Sequence, residues 1–156
     1  MQINLFDTWQ LRIYISRLEQ RTGICSLQHN RDNEHCLLWD FDDAELGSIM
    51  MELQILQRKY KLPVIYVFES SKDKYHAYSF TSRTLRETIH ILTDTPSIDM
   101  HYLRMGIVRG YFTLRISPRK GKDIIFNSEI KSSYPDEMSP YNLTINEYLT
   151  SNRGGK

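Results

Sequence analysis

Apolar residues recur at intervals of three and four in three stretches of the chain, a spacing that predicts amphipathic helices over residues 7–20, 43–60 and 84–95. Gly23 lies where the first helix needs a C-terminal cap, because glycine readily adopts the left-handed conformation that ends many helices. Thr84, with a glutamate three residues later, forms a capping box that predicts the start of the third helix.

Four shorter stretches predict strands. Residues 36–42 form an apolar run that ends in acidic positions, and residues 64–68 are β-branched and aromatic enough for a buried strand. A polar turn separates residues 64–68 from residues 75–80, which predicts a hairpin. Residues 111–117 alternate between apolar and polar positions, as a strand with one buried face does. Residues 25–35 are polar and predict a loop.

The elements follow one another as helix, strand, helix, strand, strand, helix and strand, with a short strand near Ile98. This order predicts an α+β fold in which the helices pack on one face of a mostly antiparallel sheet and leave the other face for function. A length of 156 residues suits one domain. We predict a single domain over residues 1–126, with its motifs within 37–122, and a polar extension over 127–156 that ends in disorder at 151–156.

Composition narrows the class of protein. Hydrophobic residues make up 40% of the chain and charged residues 25%, which is ordinary for a soluble globular protein. No run approaches the roughly eighteen apolar residues of a membrane span, and the N-terminus lacks the pattern of a signal peptide. Cys25 and Cys36 are too few for a disulfide framework, so the expected compartment is the reducing cytoplasm.

Charge is unevenly distributed, although the net charge is only +1. Residues 32–45 contain six acidic side chains and no lysine or arginine. Residues 99–122 contain six basic side chains and one acidic side chain. This division suits metal ions at one place and phosphates at the other. For the charges alone, two solvated surfaces of opposite sign are the simpler explanation.

Asp40 and Asp42 form the strongest chemical feature. In a strand, positions i and i+2 point to the same side about 7 Å apart. The pair ends an apolar strand, where unpaired carboxylates are costly. Carboxylate oxygens suit Mg²⁺ or Mn²⁺, and a pair of such ions stabilises phosphoryl transfer. The alternative is a helix N-cap, which would use Asp42 or Asp43 but not the pair.

Three further positions could contribute to such a site. His76 lies on the second strand of the hairpin, and Asp99 follows Ile98, where a turn residue is the simpler explanation. Arg115 is the charged member of an otherwise uncharged strand. The basic residues that follow it are Arg119, Lys120 and Lys122. Together they could hold a triphosphate or a template backbone, unless they form a solvated basic hairpin.

The order of these features resembles the archaeo-eukaryotic primase superfamily, which includes primase-polymerases of plasmids, phages and archaea. The resemblance covers residues 37–122, about half of the chain, and runs from an Asp-x-Asp strand through a histidine hairpin to a basic strand. The stretches similar to the family's motifs are Leu38–Asp42, Ser70–His76, Ile98–Asp99 and Phe112–Arg115 with Lys120. At the place where the second motif usually has serine, two positions before His76, this chain has Lys74.

The resemblance implies an RRM-like catalytic core and template-directed nucleotidyl transfer on single-stranded DNA. It implies that Asp40, Asp42 and Asp99 hold two Mg²⁺ or Mn²⁺ ions. The residues that would contact the nucleoside triphosphate are His76, Arg115, Lys120 and Ser71. The residues that would contact nucleic acid are Tyr78, Arg109, Tyr111, Arg119 and Lys122. A helicase or another replication protein would be a further partner, and no membrane is involved.

Other functions fit some of these residues. A non-catalytic single-stranded nucleic-acid binder would stack bases on tyrosines of an exposed sheet face, for which Tyr75, Tyr78 and Tyr111 are candidates. Three aspartates beside a phosphate path would repel the strand and disfavour that function. A metal-dependent nuclease would use the same aspartates, and a structural or adaptor role needs none of them.

A second set of possible metal ligands occurs earlier in the chain. Cys25, His29, His35 and Cys36 could form a tetrahedral zinc site. However, adjacent residues of a strand point to opposite faces, so His35 and Cys36 would not converge. We therefore expect a polar loop and a buried thiol here rather than zinc.

Overall fold

Strands are the commonest regular structure in the described part of the chain. The computed structural model describes residues 2–5, 9–12, 18–29, 31, 33–118 and 121–151. In chain order the elements are β1 (Gln2–Leu5), β2 (Trp9–Arg12), β3 (Leu18–Gln28), β4 (Glu34–Phe41), α1 (Leu46–Tyr60), β5 (Ile65–Ser71), β6 (Lys74–Thr84), α2 (Leu85–Thr93), α3 (Met100–Arg109), β7 (Thr113–Arg115), β8 (Ile125–Ile130) and β9 (Leu143–Ser151). No helix in these ranges is long and apolar enough to cross a lipid bilayer.

Seven of the described strands form one sheet in the order β7-β3-β4-β6-β5-β8, with β9 also paired to β3. All of these pairings are antiparallel. β1 and β2 pair with each other in a separate two-stranded sheet. The α+β class and the mostly antiparallel sheet are therefore confirmed.

The larger core lies between the helices and one face of the sheet. Leu37, Trp39 and Phe41 alternate along β4 and are fully buried against residues of all three helices. The Trp39 indole donates a hydrogen bond of 3.1 Å to Thr95 Oγ1, which satisfies its one polar group inside the core. Burial of each such side chain contributes about 1.5–3 kcal/mol to stability.

The opposite face of the sheet has a smaller apolar cluster. Leu38 and Tyr78 are buried there against Ile24 of β3 and Leu114 of β7. A cleft of about 480 Å³ opens beside this cluster. Its lining residues are Ile24, Tyr66, Phe68, Tyr78, Phe80, Ile116, Ile124 and Leu143. The sheet face opposite the helices, which the sequence predicted to be free for function, is thus partly covered by β3 and the strands paired with it.

The hairpin and two of the helices form as predicted. α1 and α2 lie within the predicted ranges 43–60 and 84–95, and β5 and β6 form the hairpin. The capping box at Thr84 is present, with its hydroxyl accepting from the Glu87 backbone N–H. These predictions depend on local patterns, which the folded chain retains.

Three predictions of local structure were wrong. Residues 9–12 and 18–20, within the predicted helix 7–20, are strands, while residues 7–8 and 13–17 lie outside the described residues. Gly23 is inside β3, and β3 and β4 occupy most of the predicted loop 25–35. β3 pairs with both β7 and β9, and these long-range bonds override a weak local helical pattern.

The remaining error concerns the segment after α2. Ile98 is in a turn rather than in a short strand, and Asp99 caps α3, a helix that the pattern did not reveal. Leu103 and Gly106 are the buried residues of that helix, too few for a clear apolar stripe. Of the end expected to be disordered, 151–156, Ser151 is instead in β9 and residues 152–156 lie outside the described residues; β8 and β9 add strands to the sheet from the polar C-terminal stretch.

Gly106 provides a test of how closely α3 packs on the strand that follows it. A Cβ added at Gly106 would lie 2.1 Å from Cε1 of Phe112, a buried ring. We expect Gly106→Ala to lower the free energy of unfolding by about 1–3 kcal/mol, because the core cannot expand at that point. Urea denaturation followed by circular dichroism measures the change.

The matched control is Gly47→Ala on α1, where an added Cβ meets nothing within 4 Å. Alanine there should raise stability by roughly 0.5–1 kcal/mol, since glycine is the poorer helix former. Equal effects of the two substitutions would contradict the packing described for Gly106.

Candidate active site

Three carboxylates converge at one end of β4. Asp40 lies in β4, Asp42 follows it directly, and Asp99 precedes α3. One ligand atom from each side chain lies within 4.8 Å of the others. Within the described ranges, this is the one cluster of three or more acidic, histidine or cysteine side chains placed to hold a metal ion. The fold therefore brings together the three aspartates that the sequence singled out.

The structural alternative for Asp42 is excluded by the start of α1. Glu45, rather than Asp42 or Asp43, occupies the N-cap position of this helix. Asp42 instead contacts Lys74, whose Nζ lies 2.7 Å from Asp42 Oδ2. Neither aspartate near the end of β4 is needed to begin the helix.

Asp99 is held by two sets of backbone hydrogen bonds. Its Oδ1 accepts from the N–H groups of His101 at 2.6 Å and Tyr102 at 2.9 Å, so that it caps α3. Its own N–H donates to the Asp40 carbonyl at 2.9 Å. The positive end of the helix dipole stabilises the carboxylate. This cap both begins α3 and fixes Asp99 beside β4.

The surroundings of Asp40 disfavour the charged form of its carboxyl group. Burial in the first place, and then the carboxylates of Asp42 and Asp99, raise the pKa of Asp40 from 3.8 to about 7. The cations of Lys74 and Arg115 oppose the shift. An added cation stabilises the charged form of a carboxyl group in this environment. A metal ion bound at the cluster would be such a cation.

His76 lies beneath the cluster. It is 5% exposed, and its Nε2 is 3.5 Å from Asp40 Oδ1. Burial, together with the nearby Arg115 cation, lowers the pKa of His76 to about 3. The ring is therefore neutral at physiological pH, and its contact with Asp40 is not an ion pair despite the short distance. The hydroxyl of Tyr78 lies 3.4 Å from the other ring nitrogen, Nδ1.

Arg115 joins β7 to the hairpin between β5 and β6. Its guanidinium donates to the Ser70 carbonyl at 2.9 Å and also to the Ser117 carbonyl. Its charge affects the pKa of both Asp40 and His76, so it lies within electrostatic reach of the cluster. Its side chain bonds Ser70 rather than Ser71, which is half-buried at the end of β5.

The other predicted contact residues are dispersed. Arg109 and Tyr111 line a polar cavity of about 280 Å³ together with the three aspartates. Tyr78 is 7% exposed, which leaves its ring little surface for stacking a base. Lys122 is exposed. Arg119 and Lys120 lie outside the described residues.

Sequence reasoning missed two groups that face the cluster. His101 on α3 lines the same polar cavity, and Lys74 contacts Asp42. Lys74 comes opposite Asp42 because Asp40 pairs with His76 between β4 and β6, strands that are not consecutive in the chain, so no local pattern reveals the contact. The position of His101 likewise depends on α3, which the sequence pattern did not predict.

The four candidate zinc ligands differ from one another in exposure. Cys25, His35 and Cys36 are buried, whereas His29 is exposed. Ser26 Oγ lies 2.9 Å from His35 Nδ1, and burial raises the pKa of Cys36 to about 12. No three of these four side chains lie close enough together in the described part of the chain to hold one metal ion. The predicted polar loop was wrong, because these residues belong largely to two paired strands.

The raised pKa of Asp40 predicts a pH-dependent stability. Because its pKa is about 7 in the folded protein and 3.8 ordinarily, folding disfavours the charged form, and stability falls as pH rises from about 4 to about 7. His76 acts in the opposite sense, since its lowered pKa costs stability as pH falls from 6.5 towards about 3. His76 is present in both wild type and Asp40→Asn, so its contribution cancels when the stabilities of the two proteins are compared.

We therefore expect Asp40→Asn to gain stability relative to wild type as pH is raised from about 4 to about 8, by up to roughly 4 kcal/mol. Urea denaturation of both proteins across this pH range measures the difference. A difference that stays constant with pH would contradict the electrostatic description of Asp40.

The donor set fits a hard divalent cation. Three carboxylate oxygens lie close together on a partly buried surface, and Mg²⁺ and Mn²⁺ prefer oxygen ligands. The chemistry of this cluster thus rests on the side chains themselves. Comparison with known proteins adds nothing to it: no protein-family model, no curated protein and no solved structure matches the chain.

Proposed function

We propose that the protein is a metal-dependent nucleotidyltransferase of the primase-polymerase type, which joins nucleotides on a single-stranded DNA template. The observation that carries this proposal is the convergence of Asp40, Asp42 and Asp99, whose ligand atoms lie within 4.8 Å of one another. Two cationic side chains, Lys74 and Arg115, lie within electrostatic reach of these carboxylates. Carboxylates for metal beside cations for phosphate are the groups that nucleotidyl transfer requires.

In this proposal the three aspartates hold the catalytic ions. When bound, Mg²⁺ or Mn²⁺ supplies Lewis-acid stabilisation to the attacking 3′-hydroxyl and to the leaving pyrophosphate. The protein's own contribution is to hold the aspartates in fixed positions. Asp99 is fixed by the cap of α3, and Asp40 is fixed by its strand and by the Asp99 N–H. No nucleophilic side chain is needed, because the hydroxyl of the substrate attacks the phosphate.

We assign His76 to positioning and Arg115 to phosphate binding. His76 is too deeply buried to reach far into solvent, and its neutral ring is directed at Asp40. Arg115 is half-buried beside the hairpin, within electrostatic reach of the cluster, where its positive charge can attract phosphate oxygens. The proposal thus modifies the role of His76 that the primase resemblance implies.

The polar cavity offers a place for the substrate next to the carboxylates. Its volume of about 280 Å³ lies along one side of α3, with Asp99 at the start of the helix and Arg109 at the end. Residues 99 and 109 are separated by ten steps of about 1.5 Å along the helix axis, which is about 15 Å. We therefore place the 3′ end of the growing strand in this cavity, between the metal ligands and the Arg109 cation.

The principal test is nucleotide incorporation on single-stranded DNA, with and without a primer, in the presence of Mn²⁺ or Mg²⁺. We expect metal-dependent products from the wild type, and a loss of at least about 100-fold in Asp42→Asn, because one charged ligand is removed. Asp43→Asn is the matched control, since Asp43 is an exposed neighbour outside the cluster and should retain activity.

Other outcomes identify the alternatives. Degradation of the template that is lost in Asp42→Asn would replace the polymerase with a metal-dependent nuclease. Binding of single-stranded DNA without synthesis or degradation, unchanged in Asp42→Asn, would indicate a non-catalytic binder. Equal loss of activity in Asp42→Asn and Asp43→Asn would remove the cluster from the mechanism.

A further inference from the structure

Two carboxylates of the cluster already use one oxygen on a protein group, and an oxygen of the third lies beside a histidine. Oδ1 of Asp99 accepts the two backbone hydrogen bonds that cap α3. Oδ2 of Asp42 contacts the ammonium of Lys74, and Oδ1 of Asp40 faces His76. One remaining oxygen from each aspartate is the natural supply of metal ligands.

Three carboxylate oxygens are better suited to binding one metal ion than to binding two metal ions. Mg²⁺ and Mn²⁺ prefer octahedral coordination, so three carboxylate oxygens can occupy one face of a single ion. Two ions about 3.5–4 Å apart require carboxylates that bridge them. Asp42 is the aspartate whose second oxygen is taken by a cation of the protein itself.

The fold holds Lys74 at this place. It is the first residue of β6, and the pairing of Phe41 with Tyr75 and of Asp40 with His76 brings it opposite Asp42. The preceding residue, Asp73, has a φ of 59°, a left-handed turn conformation that directs the chain back along the sheet. The Lys74 side chain is 35% exposed, so its surroundings cover most of it.

We propose that Lys74 is a built-in cation that takes one of the two cation positions at the cluster, so that the protein alone binds a single divalent ion. Removal of its charge releases Asp42 to bridge and opens the second position. This inference rests on the proposed function in one respect, since it takes the aspartates to be metal ligands. Lys74 then sets how many ions the centre holds before nucleotide binds.

The experiment is a titration of the nucleotide-free protein with Mn²⁺ at about pH 8, where Asp40 is largely ionised. Electron paramagnetic resonance reports both the number of ions bound and whether two bound ions are close enough to couple. We expect one uncoupled ion in wild type and a coupled pair in Lys74→Met. Lys74→Gln repeats the test with a polar side chain, and Lys74→Arg, which keeps the charge, should again bind one ion.

The outcomes separate this inference from the proposed function. A coupled pair in wild type, or a single ion in both Lys74→Met and Lys74→Gln, would overturn the role of Lys74 and leave the metal centre intact. If wild type binds no Mn²⁺ that is lost in Asp42→Asn, both the inference and the metal-dependent function fail. Circular dichroism verifies that each variant is folded.

Discussion

The register between β4 and β6 is the constraint on which both the core and the candidate site depend. Trp39 pairs with Ala77 and Asp40 with His76, so alternate residues of β4 enter the helix-side core and the acidic cluster. Because side chains alternate along a strand, a slip of one residue would bury the aspartate among apolar groups and expose the tryptophan. The free energy gained by burying Trp39 therefore also holds the carboxylates in position.

The acidic cluster opposes folding, and the surrounding structure compensates for it. Burial and two like charges raise the pKa of Asp40 to about 7. The N-terminus of α3 stabilises Asp99, and the Lys74 ammonium lies against Asp42. A site that remains costly after such compensation is typical of function, since residues selected for stability alone would avoid it. One strand thus contributes both to stability and to the chemistry proposed for the protein.

Predictions from sequence succeeded where local physical rules act alone. The capping box at Thr84 and the hairpin of β5 and β6 are set by side chains close in the chain, and both are present. The predictions failed where contacts between residues distant in the chain decide the local structure. β3 is a strand because it pairs with β7 and β9, and α3 depends on an aspartate cap and on close packing of Gly106 against Phe112.

By itself, the sequence determined the α+β class, the same-side placement of Asp40 and Asp42, and the presence of a third candidate ligand at Asp99. The class follows from the order of the predicted elements and the placement of the pair from alternation in a strand, whereas Asp99 became a candidate ligand through the resemblance to the primase motifs. Only the tertiary structure decided that Asp99 meets the other two, that Lys74 contacts Asp42, and that His76 is buried. Distances between residues remote in the chain depend on how the sheet pairs and on how the helices pack, and a local pattern contains neither.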